Sequence, residues 1–378
     1  LAERCESDKN LRKAEKSVEE RIRVAEEIAK EGIVLLKNNG VLPLCKEQNV
    51  LFTGAPCKVY YAGEGSSKVV PCGEYEGLDE EYKKSGGKAF YYRSTYFELM
   101  SPWMNRLCGA DIPVCCKMAE GADVTVICAG NEPGTESEFY DRERMTLSRV
   151  EEQAIKDIAA HSAKTVVVLF AGAPIDMTAW IDCVDAVVWG GFGGQCSAKA
   201  VAAVLSGGVN PSGRLTETFP LHLGDVPAEQ GYRDSFVIKY SEGLNVGYRY
   251  FERCGKPVLF PFGYGLSYSE FAYSDLFTEF SGGEILVSFS VENISRRDGK
   301  EVAQVYVGSS CREYCSKELK GFEKIYLHAN EKKKVTVRIE VDSLRHYTGG
   351  AWRHVSDEYT IYVCKNVNDV QLSAKIKI

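Results

Sequence analysis

No stretch of the 378 residues approaches the roughly 20 consecutive apolar residues of a membrane-spanning helix, so no transmembrane segment is expected. The N-terminal LAERCESDKNLRKAEKSVEERIRVAEE is charged throughout and lacks the apolar centre of a secretory signal peptide. It also begins without Met, as a processed or truncated end would. Positive charge is in deficit: 46 Lys and Arg stand against 53 Asp and Glu, a net charge of −7. With a pI near 5.5, that balance argues against a nucleic-acid partner and against acidic membranes. The five histidines, His161, His222, His328, His346 and His354, show no ligand spacing. Among the 14 cysteines there is no pair of C-x-x-C repeats. Cys115 and Cys116 are adjacent, and Cys311 and Cys315 stand four apart without a histidine set. No metal site and no cofactor are therefore expected. Scattered thiols in a chain with no export signal fit a reducing, cytoplasmic setting, and on that ground the sequon Asn293-Ile294-Ser295 carries no weight. Internal repeats and low-complexity tracts are absent.

What the chain does have is ample core material, with 44% hydrophobic and 26% charged residues, at a length that favours two or three domains. Val18, Ile22, Ala25 and Ala29 recur at helical spacing and predict a helix over 11–39 that stops at Asn38-Asn39-Gly40. Gly32 inside it suggests a close approach of helix to sheet. Next come short apolar strands at Asn49–Thr53, Asp123–Ala129, Thr165–Ala171 and Asp185–Trp189, rich in β-branched residues as parallel strands covered on both faces are. Helices fit between them. Ser148-Arg149-Val150-Glu151 is a capping box that should open a helix running to His161, and Ser197–Leu205 is another, closed by Gly207-Gly208. The segment 74–113 breaks this rhythm and receives no assignment. After PVLFPFGYGLSYSEF the pattern changes to short strands: ILVSFSVEN, EVAQVYVGS, KELKGFEKIYL, KKVTVRIEV, DEYTIYVCK and QLSAKIKI. In one of them Val335, Val337 and Ile339 face one way, while Lys334, Thr336, Arg338 and Glu340 face the other. The expected architecture is α/β plus all-β. A helical lead-in (1–30) precedes an open α/β sandwich (31–265) and an immunoglobulin-like, fibronectin type III-like β-sandwich (266–378).

Chemistry is suggested by VTVICAGNEPGTESEFYDRERMTLSRVEEQ, an apolar strand, an acidic loop with Glu136 and Glu138, then Asp141-Arg142 and a helix. Such a loop can hold out one carboxyl group, although a glutamate in a polar loop is most often simply solvated. AGEGSSKVVP lacks the spaced Gly-Lys-Ser/Thr of a phosphate loop and reads as a turn, either at a binding site or plainly on the surface. The tyrosines of GYRYF and PFGYGLSY suit packing at a domain junction, with sugar stacking as the other option.

Several segments, in order, resemble glycoside hydrolase family 3. RVAEEIAKEGIVLLKNNGVLPL is similar to the helix that enters that family's α/β sandwich, AGEGSSKVVP to its Gly-rich loop, and ESEFYDRERMTL to its acid/base loop. APIDMTAWIDCVDAVVWGGFGGQ, VNPSGRLTETFP, YSEGLNVGYRYF and PVLFPFGYGLSYSEF are similar to the strands, turns and exit that follow. VENISRRDGKEVAQVYV and KELKGFEKIYL are similar to the fibronectin type III-like module. The resemblance implies a retaining β-glycosidase, β-glucosidase-like, acting on a β-linked oligosaccharide or glycoside. It makes Glu138 the general acid/base, three residues before Asp141, with Glu136 as runner-up. Asp141 and Arg142 would form an ion pair shaping the loop. The family commonly has Gly after the catalytic Glu. Here Phe139 follows, so either the loop takes another shape, which is the expectation, or the copy is impaired.

Retaining hydrolysis needs two carboxyl groups roughly 5–5.5 Å apart. In the family the nucleophilic Asp sits in a (β/α)8 barrel, and no segment here supplies the roughly 250 residues a barrel needs. The expectation is a part of a glycosidase that is inactive alone and meets its barrel in cis or in trans. The charged N-terminal helix favours a downstream barrel over an upstream one or a separate subunit. The alternative is a non-catalytic carbohydrate-binding or scaffold module. Homo-oligomerisation stays open, as does the sugar, with β-glucosides the default and β-xylosides next.

Overall fold

The computed structural model describes residues 17–58, 65, 68, 70–92, 111–130, 136, 138, 142–229, 237, 239–240, 242–309 and 317–378. The first helix, α1 (Val18–Gly32), is capped by Ser17, whose Oγ accepts from Glu20 N at 3.2 Å. It ends earlier than its periodicity predicts. The run Ile33–Leu36 is completely buried, and Val34–Asn38 forms strand β1, so the apolar VLL joins a sheet instead of extending the helix. None of the α1 residues is fully buried, and Val18 and Ala25 are exposed. Gly32 has open space where a Cβ would stand. The close approach belongs to Gly213, whose Cβ would lie 2.3 Å from Ile33 O.

The remaining strands of this sheet are β2 (Asn49–Thr53), β3 (Lys88–Tyr92), β4 (Val124–Gly130), β5 (Thr165–Phe170) and β6 (Ala186–Trp189). Their order is β1-β6-β5-β4-β2-β3. All neighbours are parallel except β1, which runs antiparallel to β6. Every residue of β4 and β5 is buried, as expected of strands covered on both faces. One face carries α1, α2 (Leu78–Lys84) and α5 (Ser197–Leu205). The other carries α3 (Ile112–Glu120) and α4 (Arg149–His161). The unassigned stretch thus holds α2, β3 and the start of α3, while 93–110 lies outside the described residues. The capping box on α4 is formed: Ser148 Oγ accepts from Glu151 N, and Ser148 N donates to Glu151 Oε2 at 3.2 Å.

Strands β7 (Phe219–Pro220) and β8 (Val258–Phe260) pair with each other, and helix α6 (Tyr248–Cys254) lies between them in sequence. The all-β part has a two-stranded antiparallel sheet, β14 (Arg345–Thr348) with β15 (Ala351–His354), and two larger antiparallel sheets. One comprises β13 (Lys332–Glu340), β10 (Glu284–Asn293) and β9 (Phe271–Ser281). The other comprises β12 (Glu318–Leu327), β11 (Gly299–Ser309), β16 (Glu358–Asn366) and β17 (Asp369–Lys377). Between them pack Val287, Phe289, Val305, Val337, Ile361 and their neighbours. The alternation in β13 is as read, with Val335, Val337 and Ile339 inward. Asn293 is fully buried, and its Nδ2 donates to Arg297 O at 2.8 Å, so its amide serves the fold.

The two parts meet through a polar knot. Arg214 donates to Glu301 Oε2 at 2.7 Å, and Tyr273 Oη donates to Glu301 Oε1 at 2.9 Å. Lys300 and Lys324 both pair with Glu31. Tyr248 stacks on Phe262 and accepts from Leu319 N at 2.9 Å, while Tyr264 and Tyr268 donate to Leu36 O and Val204 O. These tyrosines pack the junction.

Candidate active site at the sheet's carboxyl edge

In an open α/β sheet the chain leaves a crevice where successive connections diverge, outside the carboxyl ends of two adjacent strands. Here β2 is followed by β3 on one side, and the chain then returns to β4 on the other side of β2 and continues outward to β5 and β6. The divergence therefore falls between β2 and β4. Just after β2 a Cβ on Gly54 would lie 2.0 Å from Cys128 O in β4, much as one on Gly130 in β4 would lie 2.2 Å from Phe170 O in β5. The loop after β2 carries Gly65, and the loop after β4 carries Glu136 and Glu138.

Glu138 is exposed and meets Gly65 across this crevice. A Cβ on Gly65 would stand 3.0 Å from Glu138 Cβ and 3.2 Å from Glu138 Oε2. Gly65 has φ +68, a left-handed conformation that glycine adopts without strain, and Lys68 N donates back to its carbonyl at 3.3 Å. The segment read as a turn thus has at least this much of a turn, and that turn abuts the carboxylate. Glu138 is not sealed inside a wall.

Glu136, two residues earlier, is bound. Its Oε2 accepts from Gly172 N, just after β5, at 2.9 Å, and its Oε1 lies 3.7 Å from the Arg142 guanidinium. Both side chains are largely buried, 14% and 18% exposed, which separates Glu136 from the open Glu138. Arg142 also donates to Met145 O at 3.3 Å. Burial lowers its pKa below the ordinary value, while Glu136 and then Glu217 work the other way. Burial pushes Glu217 up, Arg142 opposes that rise and Glu136 adds to it. Glu217 is open by surface area yet stands in a concave wall, so protein crowds it on most sides. Asp141, the expected partner of Arg142, and Phe139 lie outside the described residues.

A cleft of about 520 Å³ opens beside this network, lined among others by Arg142, Arg144, Glu217, Gly247, Tyr248 and Phe251. Neither Glu136 nor Glu138 lines it. The loop after β5 is tied in as well: Asp176 N donates to Met145 O at 2.9 Å, and Asp176 Oδ2 lies 2.8 Å from His222 Nδ1. Among the described residues no group of three or more His, Cys, Asp or Glu is placed to hold a metal ion, and no helix is long and apolar enough to cross a membrane. Gly65, Gly172 and Glu217 were not singled out from sequence. The quoted motifs contain Gly65 and Glu217, but nothing in those strings says that one touches Glu138 and the other faces Arg142.

The family model for the glycosyl hydrolase family 3 C-terminal domain matches residues 33–268, and that for a fibronectin type III-like domain matches residues 301–367. The chain belongs to glycosyl hydrolase family 3, as its motifs imply. It is similar to the thermostable β-glucosidase B of Acetivibrio thermocellus, 37% identical over 94% of this chain and 48% of that protein. It is also similar to an exo-α-(1→6)-L-arabinopyranosidase of Bifidobacterium breve, 31% identical over 92% of this chain and 47% of that one. The crystal structure of a family 3 β-glucosidase from Bifidobacterium adolescentis superposes with a TM-score of 0.90 at 28% identity, covering 99% of this chain and 55% of that one. The chain therefore spans about half the length of the curated relatives it matches, and it matches their C-terminal part.

Proposed function

We propose that this chain is the part of a retaining β-glycosidase, β-glucosidase-like, that delivers the general acid/base, and that Glu138 is that group. The observation that carries the reading is the contrast within the loop. Glu136 is largely buried against Gly172 and Arg142, whereas Glu138 stands exposed at the crevice between β2 and β4. In the first step a carboxylate from the barrel attacks the anomeric carbon while Glu138 gives its proton to the departing glycosidic oxygen. In the second, Glu138 as carboxylate takes a proton from water, whose oxygen attacks the anomeric carbon and displaces the barrel carboxylate. A loop-borne acid suits this task, because closing over the sugar both removes water and brings the donor within reach. The nucleophile's barrel, in cis or in trans, completes the pocket. The relatives' names cover both a β-glucosidase and an arabinopyranosidase, which supports leaving sugar choice to the barrel side. A cytoplasmic setting is proposed on the free thiols of the ten described cysteines.

The test is Glu138→Gln in the protein that includes the barrel, assayed on 4-nitrophenyl β-D-glucoside. The expected loss is about 10²–10⁴-fold in kcat, the usual contribution of a positioned acid/base, with azide restoring turnover as a β-glucosyl azide forms. Unchanged rates would refute the assignment and favour a non-catalytic carbohydrate-binding or scaffold role. The 378-residue chain alone is expected to be inactive on the same substrate.

A further inference from the structure

The loop that presents Glu138 has to deliver it to a reproducible position, and two contacts made two residues earlier bear on that position. We propose that Glu136 is a positioning residue that anchors the acid/base loop to the carboxyl end of β5. The inference rests on the reading of Glu138 given above. Two attachments made by one carboxylate carry it. The first is the 2.9 Å hydrogen bond from Gly172 N to Glu136 Oε2. Gly172 stands against the ring of Phe192, 2.7 Å from where a Cβ would lie. The second attachment is the Arg142 guanidinium, 3.7 Å from Glu136 Oε1, which lies on the far side of the loop from Glu138 in sequence.

Arg142 is secured in turn. It donates to Met145 O, and Met145 O also accepts from Asp176 N. It is electrostatically coupled to Glu217 as well as to Glu136, so its charge is shared between two carboxylates. The loop is therefore clamped from both ends of its acidic stretch, at the exit of β5 and at the segment leading to α4. Two residues separate the anchor from the acid. Releasing Glu136 frees the backbone two residues before Glu138, so a shift of the backbone there is passed on to the acid. A misplacement of about 1 Å in a catalytic group can cost around a hundredfold in rate.

The experiment compares Glu136→Ala, Glu136→Gln and Glu138→Gln in the barrel-containing protein on 4-nitrophenyl β-D-glucoside. Three readouts are taken: the pH profile of kcat/KM, rescue by azide, and amide exchange by mass spectrometry of the peptide holding Gly172. For Glu136→Ala the expected result is a fall in kcat of about 10- to 100-fold. Its alkaline limb is retained, azide gives little rescue, and the Gly172 amide exchanges faster. Glu136→Gln keeps an oxygen that accepts from Gly172 N and should stay within a few-fold of wild type. Wild-type kcat and unchanged exchange in Glu136→Ala would overturn the proposal. So would loss of the alkaline limb with azide rescue, which would make Glu136 the acid itself. Should Glu136→Ala fail to fold, Arg142→Met releases one attachment alone and is expected to give the same signature at smaller amplitude; wild-type kcat there overturns the proposal. An active Glu138→Gln would sink the reading of Glu138 and the anchor with it. An inactive Glu138→Gln beside a normal Glu136→Ala would sink the anchor only.

Discussion

Two of the places where this molecule brings an arginine and a glutamate together, the domain junction and the crevice, differ in their surroundings. At the domain junction, Glu301 is only 2% exposed and is taken up on both oxygens, by Arg214 and by Tyr273. At the crevice, Glu136 and Arg142 are paired at longer range, and the neighbouring Glu138 is exposed to solvent. A carboxylate with both oxygens occupied in a dry place can only hold parts together. An exposed one on a loop can, on the proposed reading, exchange protons with something that docks. The same residue types therefore serve cohesion in one place and, on the proposed reading, chemistry in the other.

The comparison can be broken most sharply at its closed end. Arg214→Met strands the Glu301 carboxylate among buried groups, and removing one partner of such a pair typically costs about 3–5 kcal/mol. A lowered urea midpoint is the expected result, and an unchanged midpoint would show that the knot contributes nothing. The open end should respond in rate rather than in stability. Gly65→Ala puts a methyl 3.0 Å from Glu138 Cβ at φ +68. It is expected to cost about 1 kcal/mol in stability and to lower kcat more than it raises KM. An unaltered kcat would mean that the β2 loop does not constrain Glu138.

The smallest effect concerns pH. Asp176 hydrogen-bonds the exposed His222 and raises its pKa above the ordinary 6.5. Because the folded value lies above the unfolded one, the stabilisation is complete below about 6.5 and fades as pH rises through the raised value. An NMR titration of His222 should give a midpoint above 6.5 that returns toward it in Asp176→Asn. An identical midpoint in both proteins would remove this tie between the β5 loop and residue 222.

Local signals were legible where the residues themselves state the constraint. The buried strands Asn49–Thr53 and Thr165–Phe170 show as β-branched runs, and α4 shows through Ser148 and Glu151, because a capping box involves only neighbours in sequence. The alternation of β13 reads directly, because every second residue meets the opposite sheet. The end of α1 was misread for a related reason. Helical spacing continues through Ile33–Leu36 by composition, but burial against β6 takes those residues into the sheet. At the site, Glu138 and Glu136 were both visible as acidic loop residues, and the family resemblance ranked them. What distinguishes them physically, a hydrogen bond to Gly172 across 36 positions, carries no mark in the string.

The sequence by itself determined that this is a family 3 polypeptide of two architectures, α/β followed by all-β, with an acidic loop after a buried strand. These follow from periodicity, capping and motif, which are interactions between near neighbours. Only the tertiary structure decided that β1 runs antiparallel at the edge and that the chain reverses its order between β2 and β4. It alone set Gly65 against Glu138 while Gly172 and Arg142 hold Glu136. Strand order and loop contacts depend on which apolar faces cover one another in three dimensions, and that choice is made by the packed core as a whole.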